Sequence, residues 1–262
     1  MNILHLSDLH RCEYDIHEML AQNEWLQSLP QVDAVVITGD VFESENFRNP
    51  KFNPFMILKN LFGHTPVIFC LGNHEFFFHN VDNVKKYFID KFQSEIGKYD
   101  NVCCLDTMDY YDLPDKAGGK PIRFFGNVLW YDGSMATVPG QDMAKFAGRR
   151  WMDMTIKDFN WTLEHAKCRE QIERVLAMSD GYIKVLCTHC VPHSKLNWHM
   201  VKNQNEINAF SGVADFLDRY KFDYALCGHT HARVTCEINS CKCYNVGSDY
   251  QPPWIHNIIE IP

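Results

Sequence analysis

Short apolar runs alternate with longer amphipathic stretches along the first half of the chain. Ile3 to Leu6 and Ala34 to Thr38 read as strands, and Glu13 to Leu29 between them carries a helical pattern. A helix from Pro54 to Phe62, a run from Pro66 to Leu71 and a helix from Val81 to Ile96 closed by Gly97 continue the series. This β-α-β alternation predicts an α/β fold. In the second half, β-like runs at Val102 to Leu105 and Ile122 to Trp130 precede an irregular segment rich in Met, Gly and polar residues, 131–154, expected to form a lid or rim. A helix from Asp158 to Met178, a strand from Tyr182 to Thr188, a helix near Ile207 to Tyr220 and a strand from Phe222 to Cys227 follow. Strands at Ala232 to Ile238 and Lys242 to Val246 close the pattern. With 262 residues and no internal repeat, low-complexity tract or Pro-rich linker, one domain over 1–262 is expected.

Composition narrows the class. Hydrophobic residues make up 46% and charged residues 22%, which excludes a disordered chain. No apolar run is long enough to cross a bilayer and the first residues carry no export signal, so a soluble, cytoplasmic protein is expected. A net charge of −8 argues against a surface that grips duplex DNA through its phosphates. Eleven cysteines, an odd number, argue against a disulfide framework. Cys70, Cys187 and Cys227 fall in or at the end of apolar runs, as buried thiols do. Cys236, Cys241 and Cys243 lack the spacing of a structural zinc site.

Metal-capable side chains fall in a pattern of their own. Asp8 and His10 follow the first strand, Asp40 the second, Asn73 and His74 the third, His189 the strand ending at Thr188, and His229 with His231 the strand ending at Cys227. In open α/β sheets the carboxyl ends of the strands are where ligand sites form. Each motif alone is weak; five in a row, all after strand-like runs, are not.

These motifs, Asp8-x-His10, Gly39-Asp40, Gly72-Asn73-His74-Glu75, Thr188-His189 and Gly228-His229-Thr230-His231, resemble those of the calcineurin-like metallophosphoesterases. Leu129-Trp130, Met154 to Ile156 and Thr188-His189 followed by Pro192 look like a branch of small, stand-alone bacterial and phage-type phosphoesterases. The resemblance implies two packed mixed β-sheets flanked by helices in α-β-β-α layers. It implies one metal held by Asp8, His10, Asp40 and His231 and a second by Asp40, Asn73, His189 and His229, with Asp40 bridging. Oxygen and imidazole ligands suit two divalent ions, with Mn expected ahead of Fe, Zn or Ni. A hydroxide bridging them would attack a phosphodiester or phosphomonoester of a small or nucleotide-like substrate, the diester being the preferred expectation. His74 resembles the histidine that stabilises the transition state and protonates the leaving oxygen, with Glu43 as its candidate partner.

Alternatives stay open at this level. The fold also serves as a non-catalytic metal-binding scaffold in some relatives, and a nuclease acting on single-stranded nucleic acid uses the same centre. Gly39-Asp40 runs into Val-Phe-Glu-Ser-Glu-Asn instead of the Asp-Arg-Gly continuation of protein Ser/Thr phosphatases, which argues against that role. Arg11 and His193 are candidate substrate contacts, each as readily an ordinary loop residue. The run Phe76-Phe77-Phe78 reads as core or rim packing, and Arg149-Arg150 as solvated.

Overall fold

Side chains alternate across a strand, so a strand buried along its whole length must be covered on both faces. Strands β2 (Ala34–Thr38) and β3 (Val67–Cys70) are of this kind, as is β1 (Asn2–Leu6) from Ile3 onward. Ile3, Ala34, Val36 and Ile68 pack in one cluster, while Leu4, Leu6, Val35, Ile37 and Phe69 pack in another. The computed structural model that shows this describes residues 1–10, 28–94, 97–115, 118–136, 151–197, 208–248 and 256–262.

The first sheet has the order β11-β1-β2-β3-β4, with β4 at Val102–Cys104 and β11 at Asn257–Glu260. Strands β1 to β4 are parallel and β11 is antiparallel to β1. The second sheet has the order β5-β6-β7-β8-β10-β9, formed by β5 (Tyr110–Leu113), β6 (Ile122–Asn127), β7 (Ile183–Thr188), β8 (Tyr224–Cys227), β9 (Arg233–Ile238) and β10 (Cys241–Val246). Its centre is parallel and its edges antiparallel. The two sheets meet where Ile3, Val36 and Ile68 pack with Phe124, Val185 and Leu226. Helices α1 (Pro54–Phe62) and α2 (Val81–Gln93) cover the first sheet through Phe55, Leu58, Val84 and Phe88. Helix α4 (Trp161–Ala177) covers the second through Ile172 and Val175, joined by α5 (Phe216–Arg219) through Phe216 and Leu217; α3 (Leu105–Met108) follows β4. The result is the expected α-β-β-α sandwich.

Helix ends explain why several boundaries were legible. Asn53 accepts the N–H groups of Phe55 and Met56, and Pro54 sits where no N–H is needed. Asn80 and Asn160 cap α2 and α4 the same way.

Other expectations need correction. Of the helix expected near Ile207 to Tyr220, Asn208 and Ala209 and the separate α5 are helical, the stretch between them is not, and Ile207 lies outside the described residues. Val191 N–H donates to Ser211 O, Val213 N–H to Val191 O and Ser194 N–H to Ala214 O, so this segment bonds across to the loop after β7. Gly212, at φ 156° and tight against the Val191 carbonyl, permits that approach. The run to Trp130 ends as a strand at Asn127, whose side chain accepts the Leu129 N–H and turns the chain away. Leu105 begins α3 instead of ending β4. Strands β5 and β11, short and at sheet edges, escaped the sequence pattern. The expected helix from Glu13 lies outside the described residues up to position 27, as do 137–150 of the rim segment, Arg11 and Arg149-Arg150.

Candidate functional site

Because β1, β2 and β3 run parallel, as do β7 and β8, their carboxyl ends open on one edge of the sandwich. The loops leaving them bring Asp8, His10, Asp40, Asn73, His74, His189, His229 and His231 together. Five of these residues, Asp8, His10, Asp40, His229 and His231, hold positive φ between 48° and 69°. A non-glycine residue there costs on the order of 1–2 kcal/mol, so the rest of the fold holds strain at this spot. The clamps are visible: His10 N–H donates to the Asp40 carbonyl at 2.8 Å, His74 N–H to Asp40 Oδ1 at 2.9 Å, and His229 N–H to Asp8 Oδ1 at 3.0 Å.

The motif glycines have a steric reason. A Cβ on Gly72 would stand 2.1 Å from Asp40 Oδ1, and one on Gly228 would stand 1.7 Å from Ser7 Oγ and 2.7 Å from Asp8 Oδ2. Glu75, fully buried, ties two of the loops together: Oε1 accepts from Val41 and Phe42 N–H and Oε2 from Gly72 N–H.

Three imidazoles are oriented by backbone carbonyls. His189 Nδ1–H donates to Thr38 O at 2.9 Å, His229 Nε2–H to Phe210 O at 2.9 Å, and His231 Nδ1–H to Ser248 O. The remaining nitrogens of His189 and His229 face each other at 3.1 Å. His189 Nε2 also lies 3.0 Å from Asn73 Oδ1 and 3.3 Å from Asp40 Oδ2. Asn73 cannot turn its amide around without losing the bond from its Nδ2 to Asp153 Oδ1 at 2.8 Å. Acceptor atoms of His229, Asn73 and Asp40 therefore surround His189 Nε2, an arrangement that fits a cation.

Without a cation, a proton takes that place. Burial alone would lower His189, but Asp40, with its hydrogen bond and Asp8, raises it to about 10. His229 is lowered to about 3 by burial and by His189. Burial would raise Asp40, yet His189, His74 and His10 hold it well below the ordinary carboxylate range.

A second group adjoins the first. Ligand atoms of Asp8, His10 and His231 lie within 4.8 Å of one another, as do those of Asp8, Asp40 and His189. His10 Nε2 is 3.7 Å from Asp40 Oδ2, and the rings of His10 and His231 stack with centroids 5.3 Å apart. Cysteine takes no part in these groups among the described residues; Cys70, Cys187 and Cys227 are buried thiols, as expected.

His74 stands at the rim with its side chain 23% exposed. Glu43 lies 3.0 Å from its Nδ1 and 3.2 Å from Nδ1 of His10, linking the two rings. Burial lowers His74, but Asp40 and Glu43 outweigh it and raise the imidazole to about 9. Glu43, raised by burial, is brought down to about 2 by its bonds from His10 and His74.

A cleft of about 260 Å³ opens over this constellation, bordered by Asp40, Asn73, His74, His229 and His231. Phe77, Trp151, Met152 and Asp153 complete its lining. Asp153 was not anticipated from sequence, although it sits at the end of the expected rim segment; a carboxylate flanked by Met152 and Met154 carries no motif. The acceptors Thr38 O, Phe210 O and Ser248 O leave no trace in side-chain identity. Of the phenylalanine run, Phe76 is core, Phe77 lines the cleft and Phe78 is exposed. His193 turns elsewhere: its Nδ1 accepts the Lys195 N–H and its Nε2 lies 3.4 Å from Asp218.

A family model for calcineurin-like phosphoesterases matches residues 1–233. No curated protein matches the sequence significantly. Among solved structures, the fold is similar to that of a phosphopantetheinyl hydrolase from Mycobacterium tuberculosis, with a TM-score of 0.69 at 17% identity over 98% of this chain and 95% of that one. A protein assigned as a 5'-nucleotidase from Staphylococcus aureus, solved with alpha-ketoglutarate, gives a TM-score of 0.51 at 14% identity, covering 99% of this chain and 53% of the other. At these identities the likeness concerns the fold alone. No described helix is long and apolar enough to cross a membrane.

Proposed function

The chain belongs to the calcineurin-like phosphoesterase family, and from that premise we propose that it hydrolyses a phosphoester of a small molecule, a diester in preference to a monoester, at a two-cation centre. Asp8, His10, Asp40 and His231 would hold one ion and Asp40, Asn73, His189 and His229 the other, with Asp40 shared. The observation that carries this reading is the pair of imidazole nitrogens of His189 and His229 facing each other at 3.1 Å while their other nitrogens donate to backbone carbonyls. Neutral rings so oriented present two lone pairs to one point, and only a positive charge makes that stable.

Bound divalent ions, of which we propose Mn ahead of Fe, Zn or Ni, would activate water and offset phosphoryl charge. The side chains do the rest. Asp40, held ionised, supplies the shared carboxylate. His74 keeps Nδ1 on Glu43 and turns Nε2 to the cleft, where its proton passes to the ester oxygen as the P–O bond breaks. Water supplies the new P–O bond. Among the described residues the cleft lining contains no Lys or Arg, which favours a singly charged diester over a doubly charged monoester.

The test is a reconstitution series with Mn, Fe, Zn and Ni, comparing bis-p-nitrophenyl phosphate with p-nitrophenyl phosphate. Mn is expected to activate best and the diester to turn over faster. Asp40→Asn should lose metal and activity together, and His74→Ala should keep metal while losing about 10²–10⁴-fold in turnover. Metal-loaded protein inert toward both esters would overturn the reading in favour of a binding scaffold.

A further inference from the structure

The cleft beside His74 has an apolar, aromatic wall that the hydrolytic chemistry does not require. Phe77 lies against His74, ring centroids 4.5 Å apart at 44°. Trp151 and Met152 border the same cleft, and Met152 is 49% exposed although apolar. Next to Phe77, Phe78 is 46% exposed at φ 64°, a conformation a bulky residue adopts only under constraint.

The wall is rigid. The segments that carry it are joined by Lys157 N–H donating to His79 O at 2.9 Å and by the bridge between Asn80 and Lys157. Trp151 is held twice, by Nε1–H on Asp153 Oδ2 at 2.8 Å and by stacking on Phe210 at 4.8 Å and 21°. Fixed flat rings suit a flat partner, because a planar group meets them with no torsions to freeze, whereas an alkyl chain loses rotamer freedom on contact. About 260 Å³ accommodates a phosphoryl group and one ring system.

We propose that this wall is a subsite for an aromatic ring carried on the ester oxygen that His74 protonates, so that the substrates are small aryl- or heteroaryl-bearing phosphoesters. This rests on the phosphoesterase reading of the same cleft. The contact of Phe77 with His74 places the ring on the leaving side.

Calorimetric titration of the Mn-loaded protein with phenylphosphonate and methylphosphonate tests it without turnover. Phenylphosphonate should bind about tenfold more tightly or better, the gain expected from covering one ring face. Trp151→Ala should bring the phenyl-to-methyl ratio towards one, and Trp151→Phe, which keeps a ring but loses the N–H to Asp153, should retain most of it. The ratio cancels any general weakening of the anion site. A ratio near one in the wild type, a ratio unchanged in Trp151→Ala, or no binding of either phosphonate would overturn the subsite. Hydrolysis of bis-p-nitrophenyl phosphate without phenyl preference would sink the subsite alone. Phenyl preference without hydrolysis of any phosphoester would sink the catalytic reading and leave the subsite standing.

Discussion

Replacing Asp153 with asparagine perturbs the centre through a residue that need not touch a metal. Asp153 is 1% exposed and accepts two N–H groups, from Asn73 Nδ2 and from Trp151 Nε1, each at 2.8 Å. Asparagine has the same shape but one acceptor oxygen, so one donor meets an NH₂ group. A buried donor left without an acceptor costs about 1–3 kcal/mol. If the loss falls on Asn73, its amide is free to turn, and an N–H replaces Oδ1 3.0 Å from His189 Nε2. Changes of this kind behind a metal ligand typically weaken binding about 10–100-fold. The assay is calorimetric Mn titration of Asp153→Asn beside urea unfolding of the metal-free protein. A loss of stability in that range together with weaker Mn binding at the site proposed to include Asn73 and His189 is expected. Unchanged Mn affinity with unchanged stability would refute the argument that Asp153 holds Asn73 in register.

Three further outcomes follow from the packing and the electrostatics. Gly72→Ala puts a methyl 2.1 Å from Asp40 Oδ1 and 2.4 Å from its backbone nitrogen, so it should destabilise by about 1–3 kcal/mol and abolish metal binding; urea titration and metal analysis check this, and a wild-type midpoint would contradict it. In metal-free protein, His74 raised to about 9 adds stability that is complete below its unfolded value of 6.5 and lost as pH climbs to 9, while Glu43 lowered to about 2 adds stability complete above 4.5 and lost as pH falls towards 2. The His74 contribution is therefore full below pH 6.5 and the Glu43 contribution full above pH 4.5, and the alkaline decline should flatten in His74→Ala when unfolding is followed across pH. Arg123 pairs with both Asp112 oxygens at 2.7 Å, donates to Met178 O and lies between Tyr110 and Tyr182. Arg123→Lys keeps the charge but not the planar fork, so thermal unfolding should show a loss of about 1–3 kcal/mol while Mn affinity stays the same.

Local sequence determined a good deal. Apolar runs defined β1, β2, β3 and β7, because strands covered on both faces are mostly apolar. Asn53 and Pro54 mark the start of α1 because capping is a local matter of backbone hydrogen bonds. The order of Asp, Asn and His after successive strands pointed to a metal centre, since the carboxyl ends of parallel strands converge whatever the details of the loops.

Tertiary structure alone decided the rest. Ser211, Val213 and Ala214 spend backbone hydrogen bonds on the loop after β7, a long-range pairing that no local pattern encodes, and so do not continue the helix their periodicity suggests. Asp153 became a clamp on Asn73 only because the chain returns 80 residues later to the same spot. Thr38, Phe210 and Ser248 orient three imidazoles through carbonyl oxygens, which every residue possesses. Side-chain identity placed the candidate ligands at the strand ends; the fold chose which nitrogen of each ring faces its neighbours.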